Sequence, residues 1–197
     1  MLFEIKNRFD GSLIFSLETE SIKLCVEAAV KARISLSSAN LSSANLYSAD
    51  LSSADLNSAD LSSANLSSAN LISADLRSAN LISANLYSAD LSSADLNSAN
   101  LSFANLHSAN LSSAKYGYGV PLENKPVQLD SNKYYVLIMD THIKIGCKIY
   151  KHTEWESFTD AEILKMDNGA LEWWNEWRGM ILSLSLGHQQ RIAKLKK

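Results

Sequence analysis

Leucine recurs at every fifth residue from Leu36 to Leu111, sixteen times without a break. An alanine stands two places before each leucine from Ala39 through Ala109, and Ala114 continues that column, while Ile34 takes the alanine place before Leu36. The residue between them is Asn or Asp at every step from Asn40 to Asn110, and the two places after each leucine are mostly serine. This period predicts neither common element. At about 100° per residue, successive leucines would drift by about 140° around a helix and form no single apolar face. On a flat strand an odd period sends successive leucines to opposite sides. A coil that makes a quarter turn every five residues satisfies the pattern. Each side then points one leucine and one alanine inward, and four pentapeptides close a twenty-residue turn. Stacked turns pair their backbones at about 4.8 Å.

These residues resemble the pentapeptide repeat family, whose consensus is a small residue, Asp/Asn, Leu/Phe and two variable places. The resemblance covers residues 36–115 and implies a mainly β fold, a right-handed quadrilateral β-helix, here of about four turns. One departure bears on the corners. Many members carry Gly at the second place after the leucine, where a type II turn needs φ > 0. Here that place is serine almost throughout, and Phe103 once. Serine resists φ > 0, so the sequence predicts corners that are mostly not type II.

The flanks change period. "FEIKNR" and "SLIFSL" around Phe9-Asp10-Gly11 predict a β-hairpin. "TESIKLCVEAAVKAR" predicts a helix capped by Thr19, with Ile22, Cys25, Val26, Ala29 and Val30 on one face. That face should plug the first turn of the coil, whose open backbone edge would otherwise invite stacking. Residues 116–132 hold both prolines and read as a connector. "KYYVLIM" and "HIKIGCKIY" read as a strand pair. Capping boxes begin at Thr153 and Thr159. A longer helix is predicted from about Asn168 to Leu186, with Ala170, Trp173, Trp174, Trp177, Ile181 and Leu184 as its stripe. The basic tail after it should be exposed and frayed. The organisation is therefore a cap at 1–34, a β-helix at 35–116, a connector at 117–132 and an α+β module at 133–197. That last module resembles segments that follow pentapeptide repeats in some bacterial and prophage-associated proteins.

Composition adds limits. Net charge is −3 over 197 residues, which makes no whole-chain case for nucleic acid or a membrane surface. The middle block is the acidic one, with six aspartates against Arg77 and Lys115. Charges inside the first apolar run argue against a secretory signal, and no stretch is long enough to span a bilayer. Cys25 and Cys147 lie far apart and read as free thiols of a reducing cytoplasm, with a disulfide as the alternative, and Cys25 reads as a buried small hydrophobe.

Residues twenty apart should stack. Asp55, Asp75 and Asp95 then form an acidic column, with Arg77 placed to relieve it. Asn45, Asn65, Asn85 and Asn105 form an uncharged column that can hydrogen-bond along the stack. Tyr47 and Tyr87 lie on the asparagine side, with Ser67 between them and His107 one turn on. A copied block, "NLYSADLSSADLNSA" at 45–59 and again at 85–99, accounts for the second tyrosine. The functional reading is a partner-binding stripe. Ile72, Ile82 and Phe103 should point outward. Ile82 and Phe103 suit an intramolecular contact with the C-terminal module or a dimer contact.

Reactive residue types gather only in "DTHIKIGCKIYKH", as Asp140, His142, Cys147 and His152. No C-x-x-C or H-x-x-x-H spacing is present, and five residues separate His142 from Cys147. The reading is a strand pair with a buried Cys147 and polar histidines at its ends, with thiol or metal chemistry as a third alternative. No catalytic, cofactor-binding or metal residue is assigned, and no cofactor is expected. The expected role is a non-enzymatic scaffold or interaction module for an unknown protein partner, as monomer or homodimer, with no direct nucleic-acid binding and no membrane. The alternative is a DNA mimic binding a type II topoisomerase, which the family resemblance brings in.

Overall fold

The computed structural model describes residues 1–116, 120–122, 126–131 and 133–195. The chain divides into two compact units, Met1–Lys125 and Pro126–Lys197.

In the first unit the five-residue period is a β-helix-type coil. Parallel bridges join residues twenty apart, from Asn40 with Asp60 to Asp90 with Asn110. Both backbone groups take part: the Leu41 N–H donates to Asp60 O and the Asp60 N–H donates to Ala39 O, each at 2.8 Å. All sixteen leucines are at most 3% exposed. Burying each contributes about 1.5–3 kcal/mol before chain entropy is charged against it.

The turns correct the sequence-based expectation. Every residue at the second place after a leucine, from Ser38 to Ser113, has φ between 50° and 62°. The alanine N–H that follows bonds back to the leucine carbonyl, as Ala44 N–H does to Leu41 O at 3.1 Å. Positive φ at the third residue alone, with that bond, defines a type II turn. A side-chain-bearing residue there costs about 1–2 kcal/mol. The flipped peptide between the two serines offsets it. Its N–H points along the stack, so that Ser43 donates to Ser62 O at 2.8 Å and the same bond repeats up the coil. Those partners lie nineteen residues on, beyond what local propensity weighs.

The Asn/Asp side chains also shape the corners. In all fifteen, from Asn40 to Asn110, the side-chain Oδ1 accepts the backbone N–H two residues on. That N–H belongs to the first corner residue, so the Asx bond sets the chain into each turn.

Flanking segments meet both ends of the coil. Strands β1 (Leu2–Lys6) and β2 (Leu13–Glu18) form the antiparallel hairpin, with Gly11 at φ 71°. Past β1, the Asn40 N–H donates to Lys6 O and the Arg8 N–H donates to Ser38 O, both at 2.8 Å. Helix α1 (Ile22–Lys31) buries Cys25, Val26 and Ala29. Its cap is Ser21 rather than Thr19: Ser21 Oγ accepts from the Leu24 N–H, while the Thr19 N–H is engaged by Met1 O at 3.0 Å. The Glu27 carboxylate accepts the Asp50 N–H at 2.9 Å, which occupies another edge donor of the coil. At the far end β3 (Asp95–Leu96) pairs in parallel with β4 (Ala114–Tyr116), and β4 pairs with β5 (Val120–Leu122). Tyr116 takes the next leucine place, is 1% exposed, and its hydroxyl donates to Ala99 O at 3.3 Å.

In the second unit β6 (Val127–Asp130), β7 (Tyr135–Ile138), β8 (His142–Ile145) and β9 (Lys148–Lys151) form an antiparallel sheet in chain order. The expected strand pair is thus four strands. The segment expected as a connector supplies β5 and β6, and its residues 117–119, 123–125 and 132 lie outside those described. "HIKIGCKIY" folds back on itself at Gly146, which has φ 54°. Helix α2 (His152–Ser157) starts at Lys151, whose N–H bonds Glu154 Oε2 at 2.7 Å, so the first capping box lies two residues earlier than expected. Helix α3 (Asp160–Leu164) has the expected Thr159–Glu162 pairing. Helix α4 (Ala170–Leu195) runs straight through Gly187. The tail was expected to fray. It stays helical to Leu195 because Ser185, His188 and Ile192 continue the buried face of Ile181 at spacings of four, three and four. Residues 196–197 lie outside those described.

Candidate functional site

The backbone of the coil is occupied by its own ladder, so its chemistry lies in the columns. Column 45–65–85–105 is an amide ladder. Asn65, Asn85 and Asn105 each donate Nδ2–H to the Oδ1 of the asparagine one rung below, at 3.4, 3.4 and 3.2 Å. Two places on, Tyr47 and Tyr87 are 55% and 46% exposed, and Ser67 between them is 9% exposed. Tyr87 and His107 stack, with centroids 5.5 Å apart and planes at 10°. The structure therefore brings Tyr87, His107 and the amide ladder together on one face, with Tyr47 two rungs below Tyr87.

A second column carries Asp55, Asp75 and Asp95, bridged in parallel. Arg77 lies on it: Nε–H and Nη2–H donate to Asp75 Oδ1 and Oδ2 at 2.8 and 2.5 Å. Those bonds hold the Asp75 carboxyl below the usual carboxylate range, and they, with Asp95 and Asp55 beyond them, raise the guanidinium. Ser35 donates to Asp55 at 2.5 Å and the Asn97 amide to Asp95 at 2.7 Å, so each carboxylate has its own donor. The other columns mix the two residue types. Asn70 and Asn110 donate to Asp50 and Asp90, each at 3.1 Å, and Asn80 donates to Asp60 at 3.0 Å. Asn above Asp supplies a donor where a second Asp would repel.

Ile72 and Phe103 are 39% and 55% exposed, and Ile82 is half-buried. Phe103 occupies a positive-φ corner, at 61°.

The reactive residues of the second unit separate. Cys147 is exposed at the β8–β9 turn, not buried as the sequence reading expected, because the chain reverses there. His142 is bonded to Thr141 Oγ1 at 2.8 Å. His152 is not a polar strand end: it is 4% exposed. Its Nε2–H donates to Met139 O at 2.9 Å, so Nδ1 is the acceptor for the Ser185 hydroxyl. Next to it, His188 Nε2–H faces Asp140 Oδ1 at 3.2 Å while Arg191 donates to its Nδ1 at 3.0 Å. Burial pushes both histidines below the ordinary imidazole value. A serine hydroxyl donating to a neutral imidazole is the start of a nucleophilic pair. Here Ser185 is 1% exposed, and the pair ties α4 to the start of α2, which His152 in turn fastens to Met139 just after β7. Sequence reasoning missed Ser185 and His188. Their signal was the four-three-four spacing after Ile181, obscured by Gly187. Among the described residues no three of His, Cys, Asp and Glu gather as a metal ion requires, and no helix is long and apolar enough to cross a membrane.

The family comparison falls on the coil. The model of the Pentapeptide repeats family matches residues 34–71, 59–97 and 74–112, in eight copies. Among solved structures, HetL, a pentapeptide repeat protein involved in heterocyst differentiation regulation from the cyanobacterium Nostoc sp. strain PCC 7120, is 38% identical over 42% of this chain and 40% of its own, with a TM-score of 0.29. The protein alr5209 from Nostoc PCC 7120 is 37% identical over 49% of this chain and 79% of its own, with a TM-score of 0.33. A pentapeptide repeat protein of the Arabidopsis thaliana thylakoid lumen is 34% identical over 42% of this chain and 53% of its own, with a TM-score of 0.31. This chain thus spans less than half the length of HetL. No curated protein matches the chain.

Proposed function

The chain belongs to the pentapeptide repeat family, whose members are generally non-enzymatic interaction scaffolds, and from that premise we propose that it presents one face of a rigid rod to a protein partner in the cytoplasm. We read the rod as the right-handed quadrilateral β-helix that membership of this family implies, and sixteen leucines at four per rung correspond to about four turns. The observation that carries the reading is the face formed by Tyr47, Tyr87 and His107 beside the amide ladder. Amphipathic rings held on a stiff backbone bind with little loss of conformational entropy. The acidic column supports duplex mimicry less, because Arg77 sits on it and Asn57 and Asn97 flank it. Ile82 and Phe103 are assigned to a contact within the chain or between two copies. Light scattering on Phe103→Ser separates those two, since only a dimer contact changes the mass.

Affinity capture from the native host tests the proposal, comparing wild type with Tyr47→Ser/Tyr87→Ser. The expected result is a protein held by wild type and lost from a variant whose circular dichroism and Tm are unchanged. An identical set of captured proteins would move function away from this face.

A further inference from the structure

We propose that Asn168 is a site of spontaneous covalent modification, at which the Gly169 amide nitrogen closes on the Asn168 side chain and Lys133 assists the attack. Both residues are exposed in the turn between α3 and α4. They are the chain's one Asn-Gly pair. With no Cβ, glycine leaves the approach to its nitrogen open. The turn itself requires glycine there: its φ is 72°, and a Cβ would lie 2.9 Å from Lys133 Nζ.

Among the described residues, the Gly169 N–H and the Asn168 side-chain amide have no partner, so both reacting groups are unoccupied. The oxygen of the same peptide unit is occupied, and by a cation: the Lys133 ammonium donates to Asn168 O. When the Gly169 nitrogen loses its proton, the charge spreads over that nitrogen and the Asn168 oxygen, by the resonance that keeps the peptide planar. A cation already seated on the oxygen stabilises this anion as it forms. The positive end of α4 acts in the same direction, since the Gly169 carbonyl accepts the Trp173 N–H at 3.3 Å and so opens the helix. Asp167 leaves Lys133 to this contact, because its carboxylate is held by the Tyr134 hydroxyl at 2.6 Å and the Asn168 N–H at 2.7 Å.

The step needs only water. Solvent takes the Gly169 amide proton and the nitrogen bonds to Asn168 Cγ. The Cγ–Nδ2 bond breaks, and Nδ2 leaves as ammonia with a proton from solvent. Water then opens the cyclic imide at either of its carbonyls. One opening leaves Asp at 168, and the other leaves an isoaspartyl residue whose main chain runs through Cγ. Both place a new carboxylate just before α4. The asparagines of the coil are held against the same step. Asn65 and Asn85 have both side-chain polar atoms engaged in the Asx bond and the amide ladder. The nitrogens that would attack them belong to Leu66 and Leu86, which donate along the stack to Asn85 O at 2.8 Å and Asn105 O at 2.9 Å.

The test is incubation of the full folded chain in mildly alkaline buffer, followed by mass spectrometry of the tryptic peptide Met166–Arg178. Fragmentation should place the change from amide to carboxylate at Asn168, with Asn175, Asn65 and Asn85 still amides. An isoaspartyl methyltransferase with labelled S-adenosylmethionine should label the same peptide. Lys133→Met keeps an unbranched side chain and removes the donor. It should slow conversion about fivefold, the worth of one net hydrogen bond. Lys133 is exposed, so this variant should keep its fold, which tryptophan fluorescence checks. In denaturant the two chains should convert alike, since 35 residues separate Lys133 from Asn168. An Asn168 amide retained in the folded chain while the denatured chain converts, or equal folded rates for wild type and Lys133→Met, would overturn the proposal.

Discussion

Asp75 holds Arg77 at three points: Oδ1 accepts its backbone N–H at 3.1 Å and its Nε–H at 2.8 Å, and Oδ2 accepts its Nη2–H at 2.5 Å. One cation thereby serves the only column in which aspartates follow one another for three rungs. A carboxyl whose folded pKa is depressed contributes stability above its unfolded value, near about 3.9, and loses it as pH falls through the folded value. Arg77→Gln should therefore lower the Tm at pH 7. The difference should close in acid below the carboxylate range and shrink in molar salt, as melts followed by circular dichroism will show.

The corner serines offer a signed pair of substitutions. Ser73 has φ 57°, whereas Ser92, the first residue of its own corner, is not among the positive-φ residues. Ser73→Gly removes the left-handed penalty and should stabilise by about 0.5–1 kcal/mol after the entropy of glycine is subtracted. Ser92→Gly should destabilise by a similar amount. Denaturant titrations of the two variants check the sign.

Asn85 serves three neighbours. Its Oδ1 accepts from the Tyr87 N–H at 3.2 Å and from Asn105, and its Nδ2 donates to Asn65. Asn85→Ala should cost about 1–2 kcal/mol, and Asn85→Asp less, since the Asx acceptor survives. Equal losses would show that the ladder, not the Asx bond, sets the cost.

The second unit should weaken in mild acid. His152 faces Ser185, the Met139 carbonyl, His188, Glu156 and Asp140, and His188 faces Asp140 and Arg191. Both are held below the ordinary imidazole value, chiefly by burial. The unfolded chain therefore takes up protons first as pH falls below about 6.5, and stability drops with it. All four tryptophans lie within residues 155–177, so their fluorescence follows this unit. Its midpoint should fall between pH 7 and pH 5, and His188→Gln should flatten part of that slope.

The coil was legible because period five leaves few solutions. Sixteen leucines and their alanines specify what points inward, and twenty-residue stacking follows before any coordinate is known. The columns of Asp55 with Asp75 and of Tyr87 with His107 could be listed in advance for the same reason. The turn type could not. Serine's preference is local, and the bond that overrides it runs from Ser43 to Ser62. The second unit was less legible because its strands are short and its core polar groups pair across 33 and 48 residues, as His152 with Ser185 and Asp140 with His188.

By itself, then, the sequence determined the inward columns, the rung length, the hairpin and the helix faces, since each is set by spacing along the chain. Only the tertiary structure decided the type II corners, the Asx role of the column from Asn40 to Asn110, the exposure of Cys147 and the extension of α4 to Leu195. Each of these depends on which hydrogen-bond partner arrives from a distant segment, and spacing within one segment carries no record of that arrival.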